Sequence, residues 1–447
     1  MQGTPPSATR RSFLKTTGVL GAVGMYGQQA SGATGSSSAS LATTTATSEE
    51  PHARACVLGS DRTILGGDMI VGRDGYDTIQ SAWNDAHDGD TVYVHSSYDA
   101  EASGEAFPIV LDYSEKEVMV SGGHPSGSVV DASHASEDIF HVEGVAQYDY
   151  RNHPMLQNLK LVGGNVGLRI KGAPHNLFQN LVVYDTGSHG ITLEEGTGPD
   201  GDSLGSFGNT FLNCQVWNAG GDGFREFTAA SPHATNYAYC KAMACQGVGF
   251  RLRGFMTKVQ GGDAELNHSY GFDIRSGQGI HLSNVYIEGN ARDEDYPLEV
   301  YGKNAHGLVI EGCYLHGINP RTTTHSYDWV QRAINVHDSR HVVVQNCTMR
   351  RYGDGGIALF GCADADVHIP SHNCSEVELL AKDPIANGCT RVRSDGVILP
   401  QDLAPVEGSF EGDQGYHVDG SDISPAVWYN GEWHVAATQT LSEATTQ

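Results

Sequence analysis

Apolar and polar residues alternate in short bursts between about Leu156 and Phe360, and the bursts repeat. GSHGITLE (187–194), GGDGFREF (220–227), GVGFRLRG (247–254), SYGFDIRS (269–276) and GDGGIALF (353–360) each enter an alternating run from a glycine, at 190, 223, 249, 271 and 356. Nine residues upstream of those glycines stand Leu181, Cys214, Cys240, Gly262 and Cys347, each beginning a further short run. Period-two alternation marks a strand whose side chains point in and out in turn. A fixed offset inside a variable overall period is what stacked coils with loops of unequal length produce. Coils of about 22 to 28 residues, each with two or three short strands, predict a parallel β-helix. An antiparallel sandwich would need tight hairpin turns at regular spacing, and these are missing.

The phase of the alternation sorts side chains into core and surface. Leu168/Ile170, Ile191/Leu193, Phe250/Leu252, Phe272/Ile274, Leu298/Val300, Ile334/Val336 and Ile357/Leu359 are expected to point inward. One outward column then reads Arg169, Thr192, Arg225, Arg251, Asp273, Glu299, Asn335, and the parallel one Lys171, Glu194, Phe227, Arg253, Arg275, Tyr301, His337. Glu226 is the exception, an acid that the phase sends inward. The neighbouring sheet contributes a column of Gln215, Lys241, Asp263, Tyr286, Tyr314 and another of Trp217, Met243, Glu265, Glu288, His316. In the turns, Asn180, Asn213, Asn284 and Asn346 are expected to stack as an amide ladder. Cys214, Cys240, Cys313 and Cys347 fall in equivalent positions and are expected as a buried stack, while Cys362, Cys374 and Cys389 leave room for one disulfide. Segments 195–208, 291–297 and 318–331 are then loops, where function concentrates on a rigid scaffold.

The flanks divide the chain into 1–50, 51–400 and 401–447. The first segment carries Thr9-Arg10-Arg11-Ser12-Phe13-Leu14-Lys15, a short apolar run and a Ser/Thr-rich linker. It resembles a twin-arginine export signal, which implies a secreted or cell-surface protein. From Tyr76, Ile79, Ala82, Trp83 and Ala86 share one helical face, with Thr78 as cap and Gly89 beyond the end. A helix followed by the strand Thr91 to Val94 resembles the entry to the pectate-lyase superfamily. That resemblance implies an all-β, right-handed parallel β-helix whose open end is plugged by the short N-terminal helix. The tail, with Pro425, Trp428, Tyr429 and Trp433, resembles the closing segment of phage tail-spike-type proteins and is expected to form short strands.

Composition narrows the partners. Acidic residues outnumber basic ones 53 to 27, for a net charge of −26, and only eight of the basic residues are lysine. Such a surface excludes nucleic acid and anionic membranes as natural partners, and it resembles the surfaces of salt-adapted proteins. Against this background Arg225, Arg251, Arg253 and Arg275 on one face need either intervening acids or an anionic ligand. The first alternative is a face charge-paired through Asp273 and Glu299, and the second a groove for an acidic sugar chain.

Two chemistries fit such a groove. A lyase needs a base and cations beside a uronate carboxylate, for which Arg251, Arg253, Arg275, Lys241 or Lys258 could serve. Asp263 and Glu265, with Glu288, are then candidate oxygen ligands for Ca²⁺, the one cofactor the sequence suggests. A glycoside hydrolase needs two carboxylates, from Asp273 with Glu299 or Glu265 with Glu288. Tyr286, Tyr301, Tyr314 and Trp217 suit sugar stacking. The candidate catalytic set is thus Arg251, Arg275, Asp273, Glu299 and Glu288; the candidate substrate-binding set is Arg225, Arg253, Lys241, Tyr286, Tyr301 and Tyr314. The polygalacturonase-type pattern is not met, because Arg169-Ile170-Lys171 precedes Ser188-His189-Gly190 and only one aspartate, Asp222, occupies the GGDG turn. The expected function is cleavage of an acidic polysaccharide. Its alternative is a non-catalytic, tail-spike-like glycan-binding or adhesion module, compatible with a homotrimer.

Overall fold

The computed structural model describes residues 57–58, 62–63, 68–144 except 74 and 115, 153–198, 201–230, 232–291, 298–317, 332–350, 356–368, and short strands between 390 and 435. The chain divides into units 1–51 and 52–447, and everything below concerns the second. The twin-arginine segment, loop 318–331, most of loop 291–297, Cys374 and Cys389 lie outside the described residues.

The repeat is a parallel β-helix. Ten strands from Ile109–Asp112 to Ile357–Phe360 form one parallel sheet, and nine from Val129–Ala132 to Thr348–Arg350 form a second. A third begins at Asp68–Val71 and runs in parallel register to Ala363–His368. One coil visits the three in order, as in Thr210–Leu212, Gln215–Trp217 and Phe224–Glu226. Beyond Thr390–Ser394 antiparallel pairings appear, and Gln414–Asp419, Asp422–Tyr429 and Glu432–Val435 pair as hairpins. No helix among the described residues is long and apolar enough to cross a membrane.

Corners between the third and nine-stranded sheets need one residue at positive φ. Asn158, Asn180, Asn213, Asn284 and Asn346 supply it at 51 to 57°, an excursion asparagine tolerates better than most. Amide bonding spans only three rungs: Asn180 Nδ2 donates to Asn158 Oδ1 and Asn213 Nδ2 to Asn180 Oδ1, both at 2.9 Å. Tyr239, Gly261 and Gly312 take the equivalent corners, so the expected ladder does not continue to Asn284 and Asn346. At these two positions asparagine serves the backbone.

The core is made of stacked aromatic files. Phe178, Phe211 and Tyr237 stack at 5.0 Å spacings, and Phe224, Phe250 and Phe272 at 4.7 and 5.0 Å. Edge-to-face contacts such as Tyr237 to Phe250 join the files, the geometry that aromatic quadrupoles favour. Cys214, Cys240, Cys313 and Cys347 are buried free thiols, and Cys362 is buried as well. Helix Ile79–Asp85 packs on the first strands of the third and ten-stranded sheets and buries Ile79, Ala82 and Trp83. Its first turn is satisfied twice. Thr78 Oγ1 accepts from Ser81 N, and the buried Glu105 carboxylate accepts from the Ile79 and Gln80 amides.

One register differs from the sequence phase. Strand Leu298–Lys303 is six residues long, and it sets Val300 beside Phe272, Tyr301 beside Asp273 and Lys303 beside Arg275. Tyr301, not Glu299, therefore neighbours Asp273. Glu299 is fully buried, where its Oε2 accepts from the Asn290 side-chain amide. The cause is an early start: the strand begins two residues before the preceding strand Phe272–Arg275, and counting from Leu298 shifts every partner on that side by two.

Candidate functional site

The candidate residues gather in two clusters on adjacent sheets. The ten-stranded sheet carries the arginines. Asp273, buried at its centre, accepts from Arg251 Nη1 at 2.8 Å, Arg253 Nη2 at 3.0 Å and Arg275 Nε at 2.8 Å. Asp222, in the preceding turn, accepts from Arg251 Nε at 2.7 Å and from the Val248 amide at 2.9 Å. Burial alone would raise the Asp222 carboxyl, but the Arg251 guanidinium holds it below the usual carboxylate range. The charge-paired alternative is thus realised, though incompletely. Among the described residues, four guanidinium groups share two carboxylates, a local surplus of positive charge on an acidic chain. Arg253 is the most enclosed, donating also to the Leu252 and Asp273 carbonyls. Arg275 is the most open, its guanidinium 5.1 Å above the Tyr301 ring. Asp273 has both oxygens committed, so it props arginines and is not placed to act on a substrate.

The nine-stranded sheet carries the carboxylates and tyrosines. Met243, Glu265, Glu288 and His316 are register neighbours on successive coils, and so are Lys241, Asp263, Tyr286 and Tyr314. The Tyr286 and Tyr314 rings stack at 5.4 Å, nearly parallel at 7°. Tyr286 donates its hydroxyl to the Glu288 carboxylate, Lys241 pairs with Asp263, and His316 Nδ1 stands 3.8 Å from Glu288. Burial, with help from Asp263 and Glu288, pushes the Glu265 carboxyl up to about 7. Glu265 and Glu288 thus stand one coil apart, with the Glu265 carboxyl protonated up to about pH 7.

The remaining candidates fall elsewhere. Glu299 is interior and Lys258 lies exposed on the third sheet, so neither reaches a cluster. Asp263 and Glu265 do not assemble a site for Ca²⁺, which takes six to eight oxygens: Asp263 pairs with Lys241, and no group of three His, Cys, Asp or Glu among the described residues is arranged for a metal. A cavity of about 300 Å³ lined by Asp90, Tyr113, Glu117 and Met155 opens near the N-terminal strands, apart from both clusters. Asp222 and His189 are the participants that the phase map missed, since turn residues have no period-two phase. A signal did exist in the recurrence of Val166-Gly167-Leu168-Arg169 as Val248-Gly249-Phe250-Arg251. In both, an aspartate of the previous coil, Asp138 or Asp222, accepts the valine amide and the arginine Nε.

Comparison with known proteins returns the same architecture. The family model described as "Right handed beta helix region" matches residues 230–375. No curated protein matches the chain in sequence. Similar solved structures include the enzymatically active domain of tailspike protein 2 of bacteriophage CBA120, with 11% identity, 68% of this chain and 48% of that chain covered, and a TM-score of 0.43. The present chain therefore spans about half of that one. An alginate lyase from Paenibacillus sp. str. FPU-7 aligns at 13% identity over 70% of this chain and 96% of its own, with a TM-score of 0.39. The catalytic unit of a thermostable GH87 α-1,3-glucanase from Streptomyces thermodiastaticus strain HF3-3 aligns at 13% identity over 76% and 70%, with a TM-score of 0.38. The described residues are an all-β, right-handed parallel β-helix.

Proposed function

We propose that this protein is an exported, carbohydrate-active β-helix that cleaves an acidic polysaccharide as a glycoside hydrolase. The observation that carries the reading is the Glu265–Glu288 pair beside the stacked Tyr286 and Tyr314 rings. Glu265, protonated up to about pH 7, can give its proton to the departing glycosidic oxygen. Glu288 then attacks the anomeric carbon or activates water. The strands carrying the two glutamates lie about 4.8 Å apart, and the distance between the two carboxyl groups on a bound sugar sets the outcome, about 5 Å for a covalent, retaining pathway and wider for inversion. The tyrosine rings offer a flat apolar surface to a sugar face, and the neighbouring arginine surplus favours a chain that carries negative charge. Incubation with a panel of uronate-containing, sulfated and neutral polysaccharides tests this directly. New reducing ends without unsaturated uronates are expected, whereas ultraviolet absorbance from unsaturated products would replace hydrolysis by elimination.

A binding module is the second reading, and one observation favours it. Asp222 and Asp273 are both committed to arginines, so the arginine cluster offers anion-binding groups while neither of its aspartates is free to catalyse. Retention of a polysaccharide with no product on any member of the panel would select it.

A further inference from the structure

Three rungs of the ten-stranded sheet share one construction. A turn residue of one coil accepts the backbone N–H that precedes the strand glycine of the next coil, and it also faces that coil's outward arginine. Asp138 accepts from Val166 N at 3.0 Å through Oδ1 and from Arg169 Nε at 2.6 Å through Oδ2. Asp222 does the same for Val248 N at 2.9 Å and Arg251 Nε at 2.7 Å. At the rung just before that of Asp222, the residue in that place is His189. Its Nδ1 accepts from Asp222 N at 2.9 Å, and its Nε2 faces Arg225 Nη1 at 2.9 Å. Gly221 keeps the place open, since a Cβ there would lie 2.6 Å from Nδ1.

Replacing a carboxylate by an imidazole changes the chemistry of the rung. A neutral imidazole has one acceptor nitrogen and one N–H. The Asp222 amide is fixed by the turn and occupies the acceptor, so Nε2 carries the proton and points it at a guanidinium. Protonating the ring would only add a second donor, and burial pushes the His189 pKa down, which keeps the ring neutral. Arg225 is short of acceptors as well. Asp222 Oδ2 lies 3.4 Å from Arg225 Nη1 and is already bound by Arg251, while Arg225 Nε is buried with no partner. The guanidinium is nevertheless held in place, 4.4 Å from the Phe227 ring. Both side chains remain partly open to solvent, at 18% and 30%.

Two convergent donors stand where the sister rungs supply a carboxylate, and no acceptor among the described residues lies between them. We propose that His189 Nε2–H and the Arg225 guanidinium form a subsite for an oxyanion borne by a polysaccharide, a carboxylate or a sulfate group. The subsite deepens the proposed function, on which it rests only for the expectation of a glycan. An oxygen lying between the two donors accepts from both and removes their conflict, as Asp222 does one coil further on.

The test is calorimetric titration of the full chain with an oligogalacturonate, a heparin-derived sulfated oligosaccharide and a neutral cello-oligosaccharide. Tighter binding of either anionic probe than of the neutral one is expected, and the preferred anion identifies the group. Arg225→Gln should weaken that binding by about tenfold or more. Arg169→Gln, which alters an arginine already paired within the protein, should leave it unchanged. His189→Asp gives the sharper reading, because it restores the carboxylate of the sister rungs. This variant should lose anion binding and melt at a higher temperature than wild type, an outcome that loss of fold cannot imitate. Equal affinity for anionic and neutral probes, or anion binding unaltered in both Arg225→Gln and His189→Asp, overturns the proposal. Cleavage is read separately: hydrolysis of a neutral chain with no anion preference sinks the subsite and spares the Glu265–Glu288 reading, whereas anion binding without cleavage does the reverse.

Discussion

Two glutamates illustrate what a buried acid does in a solenoid core. Glu226 and Glu299 are fully enclosed, and burial, against their hydrogen bonds, raises them to about 7 and about 8. Glu226 is well served, accepting from the Arg253 and Gly254 amides and from the Tyr237 hydroxyl. Glu299 is less so, because its Oε1 has no partner. A folded pKa above the ordinary value of 4.5 means that the native state binds the proton more tightly than the unfolded chain. The stability contributed is therefore complete below about pH 4.5 and is lost as pH rises through about 8. Glu299→Gln should match wild type near pH 4.5 and exceed it by about 4 kcal/mol near pH 8. Parallel denaturant titrations at the two pH values check this, and equal differences at both would mean that Glu299 ionises freely in the fold.

At the scale of strands and turns, much of the fold was legible. Apolar alternation identified the inward file of Phe250 and Phe272, the cysteine stack and the outward Lys241, Asp263, Tyr286, Tyr314 column, because each depends only on local period two. Register between coils was less legible, since it depends on where a strand starts. Leu298–Lys303 shows this, with Tyr301 taking the place expected of Glu299. The charge-pairing of the arginines was foreseen through Asp273 but not through Asp222 or His189, whose roles arise only when turns from different coils meet. The aromatic files have a measurable consequence. Phe250 stacks on both Phe224 and Phe272 and meets Tyr237 edge-on. Phe250→Ala should cost about 3–5 kcal/mol, measured by denaturant unfolding, and a loss below about 1 kcal/mol would show that neighbouring coils close the gap.

Across the whole molecule, charge acts on stability against the packing of the core. A net charge of −26 opposes compaction through self-repulsion. Raising NaCl from about 0.1 M to about 1 M shortens the screening length from about 10 Å to about 3 Å. Melting temperature should rise across that range, and a flat response would mean that the surface acids are already neutralised locally. The same salt should weaken any oxyanion held by Arg225, which separates stability from binding in one titration series.

Hydrolysis by this protein would turn on Glu265 and Glu288 as an acid–base pair. The most direct test is the pH dependence of turnover on whichever polysaccharide the protein cleaves, for wild type and Glu265→Gln. A general acid works only while protonated, so wild-type turnover should fall as pH rises through about 7. Glu265→Gln should lose about a hundredfold or more in rate and also lose that limb of the profile. Wild-type turnover in Glu265→Gln, with the same fall near pH 7, would contradict the assignment.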